Sequence, residues 1–333
     1  MSRDRPLLSI AIPTYNRSAN LALLLKNLAP QLVGESRVEL LISDNCSPDD
    51  TEAMVGRFMD QGLHCRYLRN EKNIGPDLNF LQCYDFASGE YVWIFGDDDV
   101  ILPGCIDFLL GRIDGGNFDL VFMRPVGFVD DPSERAVTRL RPDCKEYSDV
   151  ASFIHAVGLC GDFALISGLL VNKRLAESQP HREYSAALDT ILLQLSWVFT
   201  TLNHFQKGLV IQRGLFSVCE KNPSRPFDVA QVFGANWHRL VKLYIDEGSS
   251  AERALLNDQL YSWFPTNWFG QRRTLVRTQV APPHQLLRPL YGDRWLYWIF
   301  VYPLLVWPWL FAGGWLVVLR FVRKVDRAFH RLG

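Results

Sequence analysis

The chain carries no surplus of charge of either sign. Its 333 residues hold 35 Lys and Arg against 36 Asp and Glu, a net charge of −1. That balance removes the electrostatic footprint on which nucleic-acid binding rests, so no nucleic-acid partner is expected. Paired cysteines are also missing. The seven Cys are scattered at 46, 65, 83, 105, 144, 160 and 219, an odd number without a CxxC spacing. This excludes a zinc knuckle or disulfide framework and suits reduced thiols in a cytosolic setting. The first residues, Met-Ser-Arg-Asp-Arg-Pro, run into an apolar stretch with no signal-peptide pattern. Repeats and low-complexity tracts are lacking. No Gly-rich loop with a following Lys comes after the first strand, which ranks a nucleotidyltransferase low. Aromatics, by contrast, are plentiful at 13%, and the ten Trp crowd towards the C-terminus. The length suggests one large domain with an appendage.

One stretch organises the rest. Tyr91 to Phe95 is a short β-branched and aromatic run, the pattern of a buried strand. Gly96 breaks it, three carboxylates follow (Asp97, Asp98 and Asp99), and Pro103 closes the segment. Three adjacent negative charges at a strand end repel one another and call for a cation. Hard divalent ions take oxygen ligands and are commonly held by one or two carboxylates plus substrate phosphates. A solvated acidic turn is the plain alternative.

Taken in order, Leu7 to Ile12 reads as a strand ended by Pro13. Ser18 is the expected cap of a helix with a Leu21, Leu24, Leu25, Leu28 stripe. Val38 to Ile42 is the second strand, after which Ser47, Pro48 and Asp50 form a helix-start pattern. Strands at Cys65 to Leu68 and Leu120 to Met123 flank a helix through Asn79, Phe80, Cys83 and Phe86. Alternating strands and helices predict an α/β, doubly wound, mostly parallel sheet. Ligands in such sheets sit beyond the carboxyl ends of the strands. Three polar loops fall there: Thr14 to Arg17, Asp44 to Asp50, and Asp97 to Asp99. Further on, residues 130–135 read as a loop, Ser185 to Leu202 as a helix with Asp189 in its second turn, and Leu209 to Gln212 as a strand. Helices are expected at Asp228 to Asp246 and at Ser250 to Phe264, the latter capped by Ser250.

These residues carry a family resemblance. Ile12-Pro13-Thr14-Tyr15-Asn16-Arg17, Val38 to Ser47 with Asp44-Asn45, Asn73-Ile74-Gly75, and Gly89-Glu90-Tyr91 before the Asp triplet resemble family 2 glycosyltransferases of the GT-A fold. The likeness covers about the first 125 residues and is nearest to bacterial O-antigen and polysaccharide sugar transferases, the abequosyltransferase-like group included. It implies transfer of a sugar from a nucleotide-diphosphate donor to an acceptor hydroxyl. Pro13, Thr14, Tyr15, Arg17, Asp44, Asn45, Asn73 and Asp97 would hold the nucleotide. Asp98, with Asp99, would hold Mn²⁺ or Mg²⁺; the family's metal motif places its first Asp at Gly96 here, and a literal Asp97-x-Asp99 is the alternative. Asn45 stands where many relatives have Asp, and either reads the nucleotide base through its amide or caps a turn. Asp189 fills the slot of the family's catalytic base, with Leu188 replacing a Glu and Asp162 as the alternative. An inverting displacement follows from the family alone.

The resemblance also shapes the expected organisation: a catalytic domain over 1–215 (nucleotide half 1–125, acceptor half 126–215), a helical extension over 216–290 and a membrane-associated segment over 291–333. Trp295 to Leu319 has no charged residue over twenty-five positions. A straight helix of that length, at about 1.5 Å per residue, would reach about 37 Å and cross a bilayer core of about 30 Å. Pro303, Pro308 and Gly313-Gly314 interrupt it, and basic residues flank both ends: Arg288 and Arg294, then Arg320, Arg323, Lys324, Arg327 and Arg331. Re-entrant or interfacial helices at the cytoplasmic face of the bacterial inner membrane keep both clusters beside anionic headgroups. A single span and a buried core segment are the alternatives. Membrane contact suggests a lipid-linked glycan acceptor, on a polyprenyl diphosphate. A membrane-bound, nucleotide-sugar-binding scaffold without turnover is the rival from another class.

Overall fold

The computed structural model describes residues 5–128, 144–158, 160–179, 183–212, 214–219, 228–267 and 282–329. The 130–135 loop and Arg331 lie outside them. Contacts group the chain into two compact units, one of Met1–Val157 with Asp162–Ser224, the other of Gly158–Gly161 with Arg225–Gly333.

The first unit is built on β1 (Leu8–Thr14), whose seven residues are all buried. On one side β1 pairs in parallel with β2 (Val38–Asp44), which pairs in parallel with β3 (Arg66–Arg69). The chain then returns to the other side of β1 as β4 (Tyr91–Ile94), again parallel. Continuous apolar runs such as those of β1 and β4 fit strands covered on both faces. The remaining strands are β5 (Val100–Ile101), β6 (Leu120–Met123), β7 (Val126–Phe128), β8 (Cys144–Tyr147), β9 (Leu169–Asn172), β10 (Gly208–Ile211) and β11 (Phe216–Cys219). The main sheet runs β3-β2-β1-β4-β9-β6-β10-β8, with β9 antiparallel to both β4 and β6. A small second sheet runs β5-β11-β7. The expected mostly parallel, doubly wound core is therefore present, with antiparallel insertions in its second half.

Helices α1 (Ser18–Leu32), α2 (Thr51–Asp60), α3 (Pro76–Phe86) and α4 (Cys105–Ile113) cover this sheet. Leu21, Leu24, Leu25 and Leu28 of α1 are buried, as their spacing predicts. On β4, Trp93 is fully buried edge-on to Phe95, with ring centroids 4.8 Å apart, and its indole N–H donates to Ser167 O at 2.9 Å. The helix starts differ from expectation. Ser18 does not cap α1; its backbone N–H donates to Asp49 Oδ2 at 2.9 Å. Ser47 and Pro48 do not open α2, which begins at Thr51, where Asp49 Oδ1 accepts from both Thr51 N and Oγ1. Ser47 instead accepts from Asn16 N at 2.9 Å. Local cap patterns lose here because the two loops lie side by side and exchange partners. Pro13 does not end β1, which runs one residue further to Thr14.

The Ser185 to Leu202 segment departs most. A short 3₁₀ turn covers Tyr184–Ala187, and the α-helix begins only at Gln194. Asp189 and Ile191 both have φ +63, a left-handed conformation incompatible with a continuous helix.

In the second unit, Ala230–Asn236 is a wide helical turn running into the Trp237–Tyr244 helix. The Ser250–Asp258 helix is capped by Ser249, not Ser250: the Ser249 side chain accepts from Glu252 N. The C-terminal segment is helical over Tyr297–Val301, Tyr302–Val306 and Trp309–Phe329. Pro303 falls in the first turn of its helix, where a missing N–H does no harm, and Gly313-Gly314 lie within a continuous one. The break comes at Trp307, extended at φ −68, ψ 151, as the residue before Pro308 prefers. Among the described residues no helix is long and apolar enough to cross a membrane. The last helix has two apolar faces. Ala312, Leu316 and Leu319 are buried, whereas Leu310, Phe311, Val317 and Phe321 are each 64–84% exposed on the opposite face.

Candidate active site

The strand order reverses between β1 and β4, and in open α/β sheets the ligand crevice lies at such a switch point, outside the carboxyl ends. Thr14 closes β1, and Asp97 follows β4 by three residues. Their side chains meet there: Thr14 Oγ1 donates to Asp97 Oδ2 at 2.8 Å. Arg17, leading into α1, reaches the same point, and its Nη1 donates to Asp97 Oδ1 and to Asp98 Oδ2, each at 3.0 Å. Burial pushes the Asp97 carboxyl up to about 6, while the Arg17 charge and the Thr14 hydroxyl pull against it. For Arg17 itself burial works downward, but the Asp97 and Asp98 charges outweigh it and raise the guanidinium above its ordinary value.

Asp99 turns the other way. Its Oδ2 accepts from the Ser167 hydroxyl at 2.5 Å, and that hydroxyl accepts from Gly96 N at 2.9 Å. Burial raises the Asp99 carboxyl to about 7, with the Ser167 hydrogen bond opposing. Gly96 is explained by the same cluster. A Cβ there would stand 3.1 Å from Asp98 Oδ1, 3.2 Å from Asp99 Oδ2 and 3.3 Å from Ser167 Oγ. The space beside Gly96 is thus a cradle of oxygen atoms that any side chain would fill. Two carboxylate oxygens and a hydroxyl are hard donors of the kind Mg²⁺ or Mn²⁺ prefers, with substrate phosphates completing the shell. Among the described residues there is no group of three or more His, Cys, Asp or Glu spaced to hold a metal. The donor set at Gly96 fits a metal shared with a ligand, not a closed protein cage.

The β2 loop forms a second cluster beside the first: Thr14 pairs with Asp44 in the sheet, and Thr14 O accepts from Asn45 N at 2.9 Å. Asp44 is fully buried and already committed, accepting from Tyr67 Oη at 2.6 Å and Ser47 N at 2.8 Å, with Arg69 Nε 3.6 Å away. Asn45 is likewise spent on the turn. Its Nδ2 donates to Asn73 Oδ1 and Gly75 O, and its Oδ1 accepts from Ile74 N and Asn70 Nδ2. Asn45 therefore shapes the 70–75 loop, while the Asp44 carboxylate ties the end of β2 to β3 and to Ser47. Of the two roles weighed for Asn45, this geometry is that of the turn.

Asp189 is exposed on the loop between the 3₁₀ turn and the Gln194–Asn203 helix. Its alternative, Asp162, is held by Arg124, whose Nη1 lies 3.4 Å from Asp162 Oδ2. The structure thus joins Thr14, Arg17, Asp97 and Asp98 in one hydrogen-bonded group, sets Asp99 on Ser167 beside it, and gathers Asp44, Asn45 and Asn73 in the neighbouring loop. Pro13 lies in β1, paired with Ser43, and Tyr15 is 36% exposed at the loop. Sequence reasoning missed Ser167, Tyr67 and Arg69. Ser167 had a signal, being the one hydroxyl in the apolar run Leu165 to Val171.

A mostly parallel α/β sheet with polar loops at its switch point and carboxylates after β4 has the GT-A-like fold. Residues 9–173 match Glycosyl transferase family 2, and this part of the chain is a family 2 glycosyltransferase domain. Over 109 residues it is 39% identical to Abequosyltransferase RfbV of Salmonella typhimurium, covering 32% of this chain and 33% of that one. Over 112 residues it is 32% identical to the GalNAc(5)-diNAcBac-PP-undecaprenol beta-1,3-glucosyltransferase of Campylobacter jejuni, covering 33% and 36%. The chain thus spans about a third of the length of these curated relatives. In fold it resembles TarS of S. aureus in complex with UDP-GlcNAc, with a TM-score of 0.61 at 18% identity over 86% of this chain and 80% of that one.

Proposed function

We propose that this protein transfers a sugar from a nucleotide-diphosphate donor to an acceptor hydroxyl in O-antigen or surface-polysaccharide synthesis. The observation that carries the reading is the Thr14–Arg17–Asp97–Asp98 group, joined at the switch point of a family 2 domain. The donor's diphosphate lies over the Gly96 cradle, with Asp98 and Asp99 as the residues that hold Mg²⁺ or Mn²⁺. Such an ion would neutralise the charge that develops on the leaving diphosphate. Arg17, fixed between two carboxylates, and Thr14 hold Asp97 in place so that the loop after β4 is organised before the donor arrives. Asp189 accepts the proton of the acceptor hydroxyl while its oxygen attacks the anomeric carbon. The anomeric C–O bond to the diphosphate breaks, the nucleoside diphosphate leaves, and this single displacement inverts the centre.

The acceptor we propose is a glycan on a polyprenyl diphosphate, presented at the cytoplasmic face of the inner membrane. Two observations support it: a relative's name carries an undecaprenol-linked substrate, and the last helix exposes an apolar face bearing Leu310, Phe311, Val317 and Phe321 near exposed Arg320 and Lys324. An amphipathic helix of this kind lies in the headgroup plane, its basic residues drawn to anionic lipid.

Calorimetric titration of UDP, CDP, GDP and dTDP, with and without Mn²⁺, tests the site. Metal-dependent binding of one nucleotide, lost in Asp98→Ala, is the expected result; binding of none of them sinks the proposal. Co-sedimentation with anionic vesicles tests the surface. Retention by wild type and release of a Phe311→Glu, Phe321→Glu variant is expected, and wild type left in the supernatant overturns the membrane part alone.

A further inference from the structure

Asp77 has no part in the chemistry above, yet it is a carboxylate only 8% exposed in the first turn of α3. A buried carboxylate needs partners, because removing an uncompensated charge from water is unfavourable. One oxygen, Oδ1, is buried without any hydrogen-bond partner. The other, Oδ2, accepts from the backbone N–H of Ile191 at 3.4 Å, across 114 residues of chain. The loop it meets is the one that presents Asp189.

That loop is strained. Asp189 and Ile191 both lie at φ +63, and for a β-branched residue such as Ile191 this is a true outlier. Such conformations persist only where the surroundings over-determine them. A left-handed residue next to one of ordinary backbone turns successive N–H groups towards one point, a concavity suited to an anion, and here Thr190 separates two left-handed residues. Burial raises the Asp77 carboxyl above its ordinary value and the neighbouring Asp189 charge adds to the rise, while the backbone N–H groups of the loop, Ile191 first, oppose it. Thr190 secures the loop from its other side: its hydroxyl donates to Ala187 O at 2.5 Å and accepts from Leu192 N at 3.2 Å. Asp77 lies two residues after Gly75, the end of the turn that Asn45 organises, so one short segment joins the β2 loop to the loop bearing Asp189.

We infer that Asp77 is a positioning residue, whose buried carboxylate accepts from the backbone N–H of Ile191 and so holds the left-handed loop that aims Asp189. This deepens the proposal that Asp189 is the base and rests on it. A misplacement of about 1 Å at a reacting group lowers rates by about 100-fold.

The test uses the full chain with Asp77→Ala and Asp77→Asn, read in two ways. In Asp77→Ala, kcat at saturating donor and acceptor falls about 100-fold while nucleotide affinity and donor KM hold within about threefold, since the Asp77 hydrogen bond goes to Ile191 and not to the loops after β1 and β4. Peptides covering 189–193 exchange their amide hydrogens at least tenfold faster, and the sheet does not. Asp77→Asn, which keeps one acceptor oxygen for Ile191 N, recovers part of both. Wild-type exchange at 189–193 in Asp77→Ala overturns the inference. So does a stability loss with kcat unchanged. If Asp77→Ala does not fold, unchanged exchange at 189–193 in Asp77→Asn likewise overturns it, and faster exchange there supports it. Full turnover by Asp189→Asn removes the base reading instead and leaves the exchange result to decide the role of Asp77.

Discussion

Two acidic loops of the first unit present carboxylates in opposite ways. After β4, three consecutive Asp are sorted by side chains: Thr14 and Arg17 take Asp97, Arg17 takes Asp98, and Ser167 takes Asp99. Ordinary backbone suffices there, because a strand ends and neighbouring strands bring the partners. At 189–191 the backbone itself is unusual, with two left-handed residues, and a single buried carboxylate from another helix meets the Ile191 N–H. The first arrangement pairs its charges through side chains; the second holds one exposed carboxylate on strained backbone, which in our proposal aims it. A site of the first kind leaves a motif in the sequence, and one of the second kind leaves almost none.

Removing the chemistry from the second loop should have the largest effect. Asp189→Asn lowers kcat about 100- to 10,000-fold, the range for a lost general base. Nucleotide affinity stays within a factor of about three, because the loops after β1 and β4 are unaltered. Steady-state kinetics alongside calorimetry would check both, and a matching loss of nucleotide affinity would merge the two loops into one functional unit.

Asn45→Asp probes the turn beside the first loop. A carboxylate there has no N–H for Asn73 Oδ1 or Gly75 O, so two acceptors lose their donor and the chain loses about 1–3 kcal/mol of stability. Urea denaturation measures this. A changed preference among nucleotides with stability intact would instead assign Asn45 to reading the base.

Ile191→Gly removes the strain without the carboxylate. Glycine adopts positive φ freely, so relief of the left-handed penalty raises stability by about 1 kcal/mol, reduced by glycine's extra freedom in the unfolded chain. Turnover should fall even so, since the loop no longer holds one shape. A variant both more stable and fully active would show that the strain has no use.

The smallest effect is in the pH dependence of stability. Burial raises the Asp77 carboxyl above the ordinary carboxylate value, against the pull of the Ile191, Asp189 and Thr190 N–H groups. The folded chain then binds that proton more tightly than the unfolded one. Its contribution is complete below the ordinary value and is lost as pH rises through the raised folded value. Asp77→Asn should flatten this part of the curve, measured by urea denaturation at stepped acidic pH. An unaltered slope would mean that Asp77 is ionised alike in both states.

The same contrast explains what was readable beforehand. The strands at 38–42 and 120–123, the Leu stripe of α1 and the acidic triplet were legible because hydrophobic period and local chemistry coincide there. The helix expected from Ser185 to Leu202 was not observed as one element. Leu188, Leu192, Leu195 and Val198 do keep a helical spacing, but Asp189 and Ile191 adopt left-handed backbone under tertiary restraint. Caps failed likewise: Ser18 and Ser47 have the right chemistry, yet Asp49 reaches Ser18 N across 31 residues and takes the role.

By itself, then, the sequence determined the class of sheet, the order of its first strands and the place where carboxylates gather, since these depend on periodicity and on residues close in the chain. Which carboxylate faces which partner was decided only by tertiary structure. Arg17 meets Asp97 from 80 residues away, Ser167 meets Asp99 from 68, and Asp77 meets Ile191 from 114. Hydrogen-bond geometry over such separations exists only once the sheet has brought those ends together. A strained backbone, in turn, is held only by packing that no local pattern encodes.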